Sequence, residues 1–308
     1  MPSTLFKDWL EKLEPGKVLI LAKEMFEKTN KFDLNSMMHL MQGEERAQLE
    51  LILNHYTIEY LGGGNSKNFM ITDVLTGEKC VFKLENRMNN PDTYAKRMEG
   101  IPEVSDHLVK VFANVVTQVQ GDPRGYSERY LQVTEFCQGH DLSTRAEEDE
   151  SIEERLLVAN KIYIQMIDVL AHMKNHGVFH SDMKNSNWLL DVYGNLKMAD
   201  TKALCPITIN DNQFSLLTLR EQGFFPVTSS QICPPELMLN ILNDADTPLS
   251  VNRTTAFIFG KNLYEFLVTN SSTRTSAKVT EFLMAHHNGG DYDFSDPIFQ
   301  TLEGARYS

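Results

Sequence analysis

The sequence predicts an α+β chain of two lobes, a small β-rich one and then an α-rich one, with an extra helical segment ahead of both. Three observations predict it. The chain has 308 residues, about twice a typical domain, and 42% of them are apolar, enough to bury more than one core. Apolar residues recur at helical spacing up to about residue 56, where β-rich stretches take over. Helical patterning then returns after Phe136.

Taken in order, Leu10, Leu13, Val18, Leu19, Ala22 and Met25 mark two or three helices within residues 3–56, broken at Pro15-Gly16 and at 30–33. Residues 56–61, 68–74 and 79–84 read as strands of a small antiparallel sheet, the last two joined through the Leu75-Thr76-Gly77-Glu78 turn. Pro91 suits the start of a helix over 91–100, and strands follow at 108–118 and 130–136 around a plain turn at 121–125. The acidic run 147–154 leads into a helix over 155–172. Its apolar positions Leu156, Val158, Ala159, Ile162, Ile164, Met166, Ile167, Val169 and Leu170 cover most of the circumference, which predicts a central core helix. Residues 243–250 read as a loop before another apolar helix over 255–268. The expected segments are 1–56, 57–136 and 137–308.

Charge and cysteines narrow the function classes. Twenty-nine Lys and Arg against 42 Asp and Glu leave −13, which repels a phosphate backbone, so nucleic acid is not an expected partner. Cys80, Cys137, Cys205 and Cys233 form no C-x-x-C pair, so neither a disulfide framework nor a zinc knuckle is expected and a reducing compartment fits. No apolar run approaches the ~20 residues of a membrane span. The amphipathic, charged N-terminus is unlike a secretory leader. The expectation is a soluble protein, with export by a route that reads no cleavable leader left open.

Residues 178–200, VFHSDMKNSNWLLDVYGNLKMAD, carry the chemistry. His180, Asp182, Lys184 and Asn187 stand at H-x-D-x-K-x-x-N spacing, a Tyr193-Gly194-Asn195 hairpin turn follows, and then Asp200. Phosphoryl transfer needs these residue types: a carboxylate at the attacking hydroxyl, an amide and a second carboxylate for a divalent cation, and a cation for developing phosphate charge.

The segment resembles the catalytic loop and metal-binding turn of eukaryotic-type protein kinases, including the 13 residues from Asn187 to Asp200. Upstream, Gly62, Gly63 and Gly64 between two strand-like runs resemble the glycine-rich loop, and Lys83 resembles the strand lysine that grips phosphates. An ordinary hairpin turn and a snorkelling edge lysine are the alternatives at these two places. GGGNSKNF lacks the last glycine of the family pattern. The resemblance implies a glutamate on the following helix to hold Lys83, with Glu99 preferred over Glu103. It implies that the strand 131–137 is the hinge, with Thr134 as gatekeeper and backbone groups of Glu135 and Cys137 at the adenine edge. Asp141 would contact ribose or a basic peptide, and Val81 and Leu189 would sandwich the adenine or serve as plain core. Cys233-Pro234-Pro235-Glu236 and the helix containing Phe259-Gly260-Lys261 extend the resemblance to about residue 268.

The chain also departs from the family. Ser181 replaces the arginine before Asp182, so no clamp on a phosphorylated loop is expected. Thr201-Lys202 replaces Phe-Gly after Asp200. Thr255 stands where the family's buried aspartate braces the catalytic loop, so another group must hold it. After Val268 the 40 remaining residues are too few for the usual last helices, which leaves open a minimal lobe or a chain lacking a further domain.

The resemblance therefore implies a bilobal protein-kinase-like fold with a short C-lobe and ATP in its cleft. Mg²⁺ or Mn²⁺ would sit on Asn187 and Asp200, with Asp182, Lys184 and Lys83 as catalytic residues. The implied activity is a protein serine/threonine kinase. The alternatives are a small-molecule or lipid kinase, a pseudokinase scaffold and a protein nucleotidyltransferase. The departures resemble kinases that intracellular bacteria such as Legionella inject into host cells, which implies a host protein substrate. Lys79, Arg87, Lys96, Arg97, His107 and Lys110 read either as a site for a polyanionic activator such as an inositol polyphosphate or as a solvated mixed face. The N-terminal helices are expected to brace the small lobe.

Overall fold

The structure, a computed structural model, describes residues 4–28, 31–63, 66–87, 98–118, 128–146, 151–207, 212–222, 224, 229, 232–243 and 245–267. The chain divides into two compact units: Met1–Asn90 with Leu108–Gln138, and Pro91–His107 with Gly139–Ser308.

In the first unit, helices α1 (Thr4–Lys12), α2 (Pro15–Lys28) and α3 (Gly43–His55) precede the strands. Pro15 opens α2, where a missing N–H costs nothing and its φ suits the helix. A 3₁₀ turn, Leu34–Leu40, is capped by Asp33, whose carboxylate accepts the Asn35 N–H at 2.9 Å. The strands β1 (Tyr56–Gly62), β2 (Lys67–Asp73), β3 (Lys79–Arg87), β4 (Val111–Gln118) and β5 (Glu128–Glu135) form an antiparallel sheet in the order β1-β2-β3-β5-β4.

Strand alternation gives this sheet two faces. Cys80, Phe82 and Leu84 of β3, with Phe69, Ile71, Leu131 and Val133 beside them, join one core with Phe6, Trp9, Leu10, Val18, Leu21 and Met25 of α1 and α2. The spacing of those helical residues forms the apolar stripe that a helix needs to lie on a sheet. The Phe6 and Phe82 rings meet edge-on at 5.0 Å, and Phe32 lies 5.0 Å from Phe69. The helices thus share one core with the sheet. Val81, Lys83 and Glu85 occupy the alternate positions, with Val81 paired to Thr134 and Lys83 to Gln132.

The second unit holds α4 (Pro102–Ser105), α5 (Leu142–Ala146), α6 (Ile152–Asn175), α7 (Leu216–Glu221), α8 (Pro235–Leu242) and α9 (Val251–Leu267). Its strands pair in twos: β6 (Val178–His180) with β9 (Leu204–Pro206), β7 (Trp188–Leu190) with β8 (Leu196–Met198), and β10 (Gln213–Phe214) with β11 (Leu249–Ser250). Helix α6 starts on a capping box in which the Ser151 hydroxyl accepts the Glu154 N–H and the Glu154 carboxylate accepts the Ser151 N–H.

Helix α6 corrects one expectation. Ala159, Ile162, Tyr163, Met166, Val169 and Met173 are buried, but Leu156, Leu157, Ile164 and Ile167 are exposed, so it is amphipathic rather than enclosed. Among the described residues it is the helix long and apolar enough to cross a membrane, over Glu153–Asn175, yet its buried stripe packs on α9 and β6. The helix expected over 91–100 lies mostly outside the described residues, as do the turn 121–125 and residues 268–308.

Candidate active site

In the second unit, β6 delivers His180 and the chain then turns through Asp182 and Lys184 into a 3₁₀ turn, Asn185–Asn187, that leads to β7. Asp182 is 1% exposed. Its Oδ2 lies 3.1 Å from Lys184 Nζ and accepts from Asn187 Nδ2 at 3.2 Å, and its Oδ1 accepts the Ser229 N–H at 2.8 Å. Lys184 Nζ in turn donates to Ser229 Oγ at 2.9 Å. Burial pushes the Asp182 carboxyl up, but Lys184, Ser229 and His180 outweigh it and hold the group below the usual aspartate value. Asp182 is therefore a carboxylate at neutral pH, able to accept a proton.

His180 is bonded to the backbone of Asp182. Its Nδ1 accepts the Asp182 N–H at 3.2 Å, and burial lowers its pKa despite the pull of Asp200 and Asp182. The ring is neutral.

Asp200 sits in the left-handed region, at φ 60°, ahead of the 3₁₀ turn Thr201–Ala203. Three hydrogen bonds fasten this turn to the loop from Ser181 to Asn187. Ala199 N–H donates to Asn187 O at 2.8 Å, and Ser181 donates to Ala203 O through both its N–H (2.9 Å) and its Oγ (3.1 Å). The serine in the arginine's place is thus a buried clip between the two segments.

A brace for the loop comes instead from about two helical turns beyond Thr255 along α9. Asn262 is fully buried and donates its Nδ2 to Met183 O. Its own carbonyl accepts from Asn185 Nδ2 at 2.9 Å and from Tyr163 Oη at 2.7 Å, and that hydroxyl lies 3.0 Å from Asn185 Oδ1. Helices α6 and α9 therefore hold the loop through its carbonyl at Met183 and its side chain at Asn185. Burial pushes the Tyr163 phenol well above its ordinary pKa, so it stays a donor.

Asp141 and Leu189 form a β-bridge. The Asp141 carboxylate accepts from the Ser143 and Thr144 N–H groups at 2.9 and 3.1 Å and from Thr144 Oγ1 at 2.7 Å, so it caps α5. Leu189 is half-buried, and Glu99 and Glu103 are exposed.

In the first unit, Gly62 ends β1 and Gly63 follows it, at φ 112° and 124°. A Cβ on Gly63 would stand 2.3 Å from Ser66 O, so only glycine fits there. Gly64 lies outside the described residues. Val81 is half-buried, Thr134 and Cys137 are buried, and the Glu135 N–H donates to Lys110 O while its carboxylate accepts the Lys110 N–H. Lys83 pairs with Glu85 at 3.1 Å, two residues along its own strand. Within the first unit a carboxylate thus faces Lys83 from its own strand, where residues i and i+2 share a face.

Residues 57–207 match the protein kinase domain family. With its five-stranded antiparallel sheet and helical second unit, the chain has a bilobal α+β kinase-like fold. This kinase segment is similar to a CBL-interacting serine/threonine-protein kinase 24 of Arabidopsis thaliana, 40% identical over 134 residues, 41% of this chain and 27% of that protein. It is similar to the hormonally up-regulated neu tumor-associated kinase of Homo sapiens, 33% identical over 132 residues, 41% of this chain and 17% of that protein. Serine/threonine-protein kinase chk1 of Schizosaccharomyces pombe is 43% identical over 68 residues, 22% of this chain and 13% of that protein. The matches thus span about an eighth to a quarter of these relatives' lengths.

Sequence reasoning missed Ser229, Asn262 and Glu85. Ser229 had no local signal, being 47 residues from Asp182. Asn262 had one: it falls between Ile258 and Phe266 at i, i+4, i+8 on the buried stripe of α9, where a polar side chain must have a partner.

Proposed function

We propose that the chain is an ATP-dependent protein serine/threonine kinase, transferring the γ-phosphate of ATP to a protein hydroxyl. The observation that carries the reading is Asp182: a buried carboxylate held ionised, with Lys184 at 3.1 Å and Asn187 at 3.2 Å. In this reading Asp182 orients the acceptor hydroxyl and takes its proton. Lys184 neutralises charge that develops on the γ-phosphate, and the Ser229 hydroxyl keeps the lysine beside the carboxylate. Lys83 grips the α and β phosphates, beneath the turn of Gly62, Gly63 and Gly64. Val81 and Leu189 flank the adenine, with Thr134 as gatekeeper and the backbone of Glu135 and Cys137 at its edge. Asp141 reaches ribose or a basic peptide only if it leaves the cap of α5.

Asn187 and Asp200 suit Mg²⁺ or Mn²⁺. Both offer oxygen donors, and the Asn187 amide, whose Nδ2 is engaged by Asp182, has its Oδ1 available to a hard cation. Such a cation, when bound, supplies charge neutralisation between phosphate oxygens.

The wider reading is a bacterial effector that acts on a host protein after a polyanion such as an inositol polyphosphate activates it. Ser181, Thr201-Lys202 and Thr255 support it as departures, and Lys79 and Lys110 are exposed on the first unit. His107 does not contribute, because its Nδ1 is bonded to Leu196 O at 2.7 Å. The Arg87 side chain, Lys96 and Arg97 lie outside the described residues.

The test is incubation with ATP labelled at the γ or the α phosphate, with Mg²⁺ or Mn²⁺, a protein acceptor and host-cell extract, beside Asp200→Ala. Transfer of γ label that disappears in Asp200→Ala is expected, and dependence on extract supports an activator. Transfer of α label would mean nucleotidylation. If ATP binds and neither label reaches protein, the acceptor is a small molecule or lipid, or the chain is a scaffold.

A further inference from the structure

We propose that Glu85, on the same strand as Lys83, is the residue that positions that lysine, so that the phosphate grip is built into the sheet and needs no docking of the following helix. The inference rests on the reading of Lys83 as the phosphate lysine.

Three observations carry it. Glu85 is 2% exposed, and a carboxylate so deeply buried requires a counter-charge. Lys83 Nζ, 3.1 Å away, supplies one, and its side chain keeps 18% exposure, enough for the ammonium to reach a ligand. The strand itself is immobilised from its other face, where Phe82 and Leu84 pack into the core formed with α1 and α2. Along an antiparallel strand the i and i+2 side chains project in parallel, so the pair's geometry is set by the backbone of β3 and by its pairing with β5 at Lys83–Gln132 and Glu85–Tyr130. A glutamate on a separate helix would hold the lysine only while that helix was docked. Glu85 holds it whenever the sheet is formed.

A consequence is that the Lys83 grip is ready for the phosphates in the resting protein, so control of activity acts on something other than that ion pair. The chemistry also separates the roles of the two residues. Lys83 touches the nucleotide, whereas Glu85 acts through Lys83, so losing Glu85 should affect ligands with phosphates and spare those without.

The test measures binding of ATP with Mg²⁺, and of adenosine, to the full chain carrying Glu85→Gln or Glu99→Gln, with thermal melting as a check on folding. For Glu85→Gln we expect ATP affinity to fall about tenfold, the scale of one lost charge-assisted contact, with adenosine within about twofold. Where Glu85→Gln fails to fold, Glu85→Asp keeps the charge but shortens its reach by one methylene. An approximately threefold loss for ATP is expected of that variant, again with adenosine unchanged. Unchanged ATP affinity in the folded Glu85 variant, or a larger loss in Glu99→Gln than in Glu85→Gln, would overturn the inference while leaving the kinase reading intact. Equal losses for ATP and adenosine would overturn it too, by showing a merely structural role. Absence of ATP binding to the unaltered chain would overturn it together with the reading on which it rests.

Discussion

The two units place their key residues by opposite means. In the first, apolar packing does the work: α1 and α2 cover one face of the sheet, and strand alternation sends Lys83 and Glu85 to the other. In the second, polar bonds between side chains and backbone hold an irregular loop, with Asn262 on Met183 O, Ser181 on Ala203 O and Ser229 on Asp182. A strand's pleat positions a side chain without further help. A loop has no repeating geometry and must be tied down bond by bond.

The contrast can be tested by breaking each unit's own device. Phe82→Ala removes the ring on which Phe6 lies and should cost ~3–5 kcal/mol, read as a lowered midpoint in urea or heat. If the N-terminal helices were only an appendage, the sheet would tolerate the change. Next in size, Asn262→Leu keeps volume but leaves the Met183 carbonyl without its donor. We expect kcat to fall about ten- to a hundredfold, with KM for ATP within about twofold, since a ~1–3 kcal/mol loss of positioning falls on the loop and not on the sheet. A loss confined to KM would place Asn262 in nucleotide binding instead.

A smaller effect comes from pH. The His180 pKa lies below its ordinary 6.5, so the unfolded chain binds this proton more readily than the folded one. Stability should therefore fall as pH drops below ~6.5 towards the folded value. The Asp182 pKa is also depressed, so its contribution is present above 3.8 and is lost as pH falls through the lower folded value. Melting the protein between pH 8 and 5 checks the first of these, and His180→Phe should flatten that slope. The smallest effect is at the start of α6, where Ser151→Ala removes half of the capping box and should cost about 1 kcal/mol with no change in nucleotide affinity.

The contrast also explains what could be read from sequence. Strands β1 to β5 were legible to within a few residues because period-2 patterning reports a half-buried sheet directly. The loop from His180 to Asp200 stood out in the sequence because its residue types and spacing are the ones that phosphoryl transfer needs. Partners distant in sequence were not. Ser229 reaches Asp182 from 47 residues away, and no local pattern announces a backbone N–H aimed at a carboxylate. Glu85 was overlooked because a glutamate in a strand reads as a solvated residue, yet it stands two positions from Lys83 with the opposite charge. Helix α6 misled in the other direction. Its abundant apolar residues suggested enclosure, whereas Leu157 is 75% exposed and Ile164 52%.

The central claim is that Asp182 acts on the acceptor hydroxyl during phosphoryl transfer. Its most direct test is single-turnover transfer of γ-phosphate by the unaltered chain and by Asp182→Asn, with ATP affinity measured on the same samples. A rate at least about a hundredfold lower is expected in Asp182→Asn, with ATP affinity within about twofold, as befits a group that handles the acceptor's proton. An undiminished rate in Asp182→Asn, or a rate lost only in proportion to ATP affinity, would contradict it.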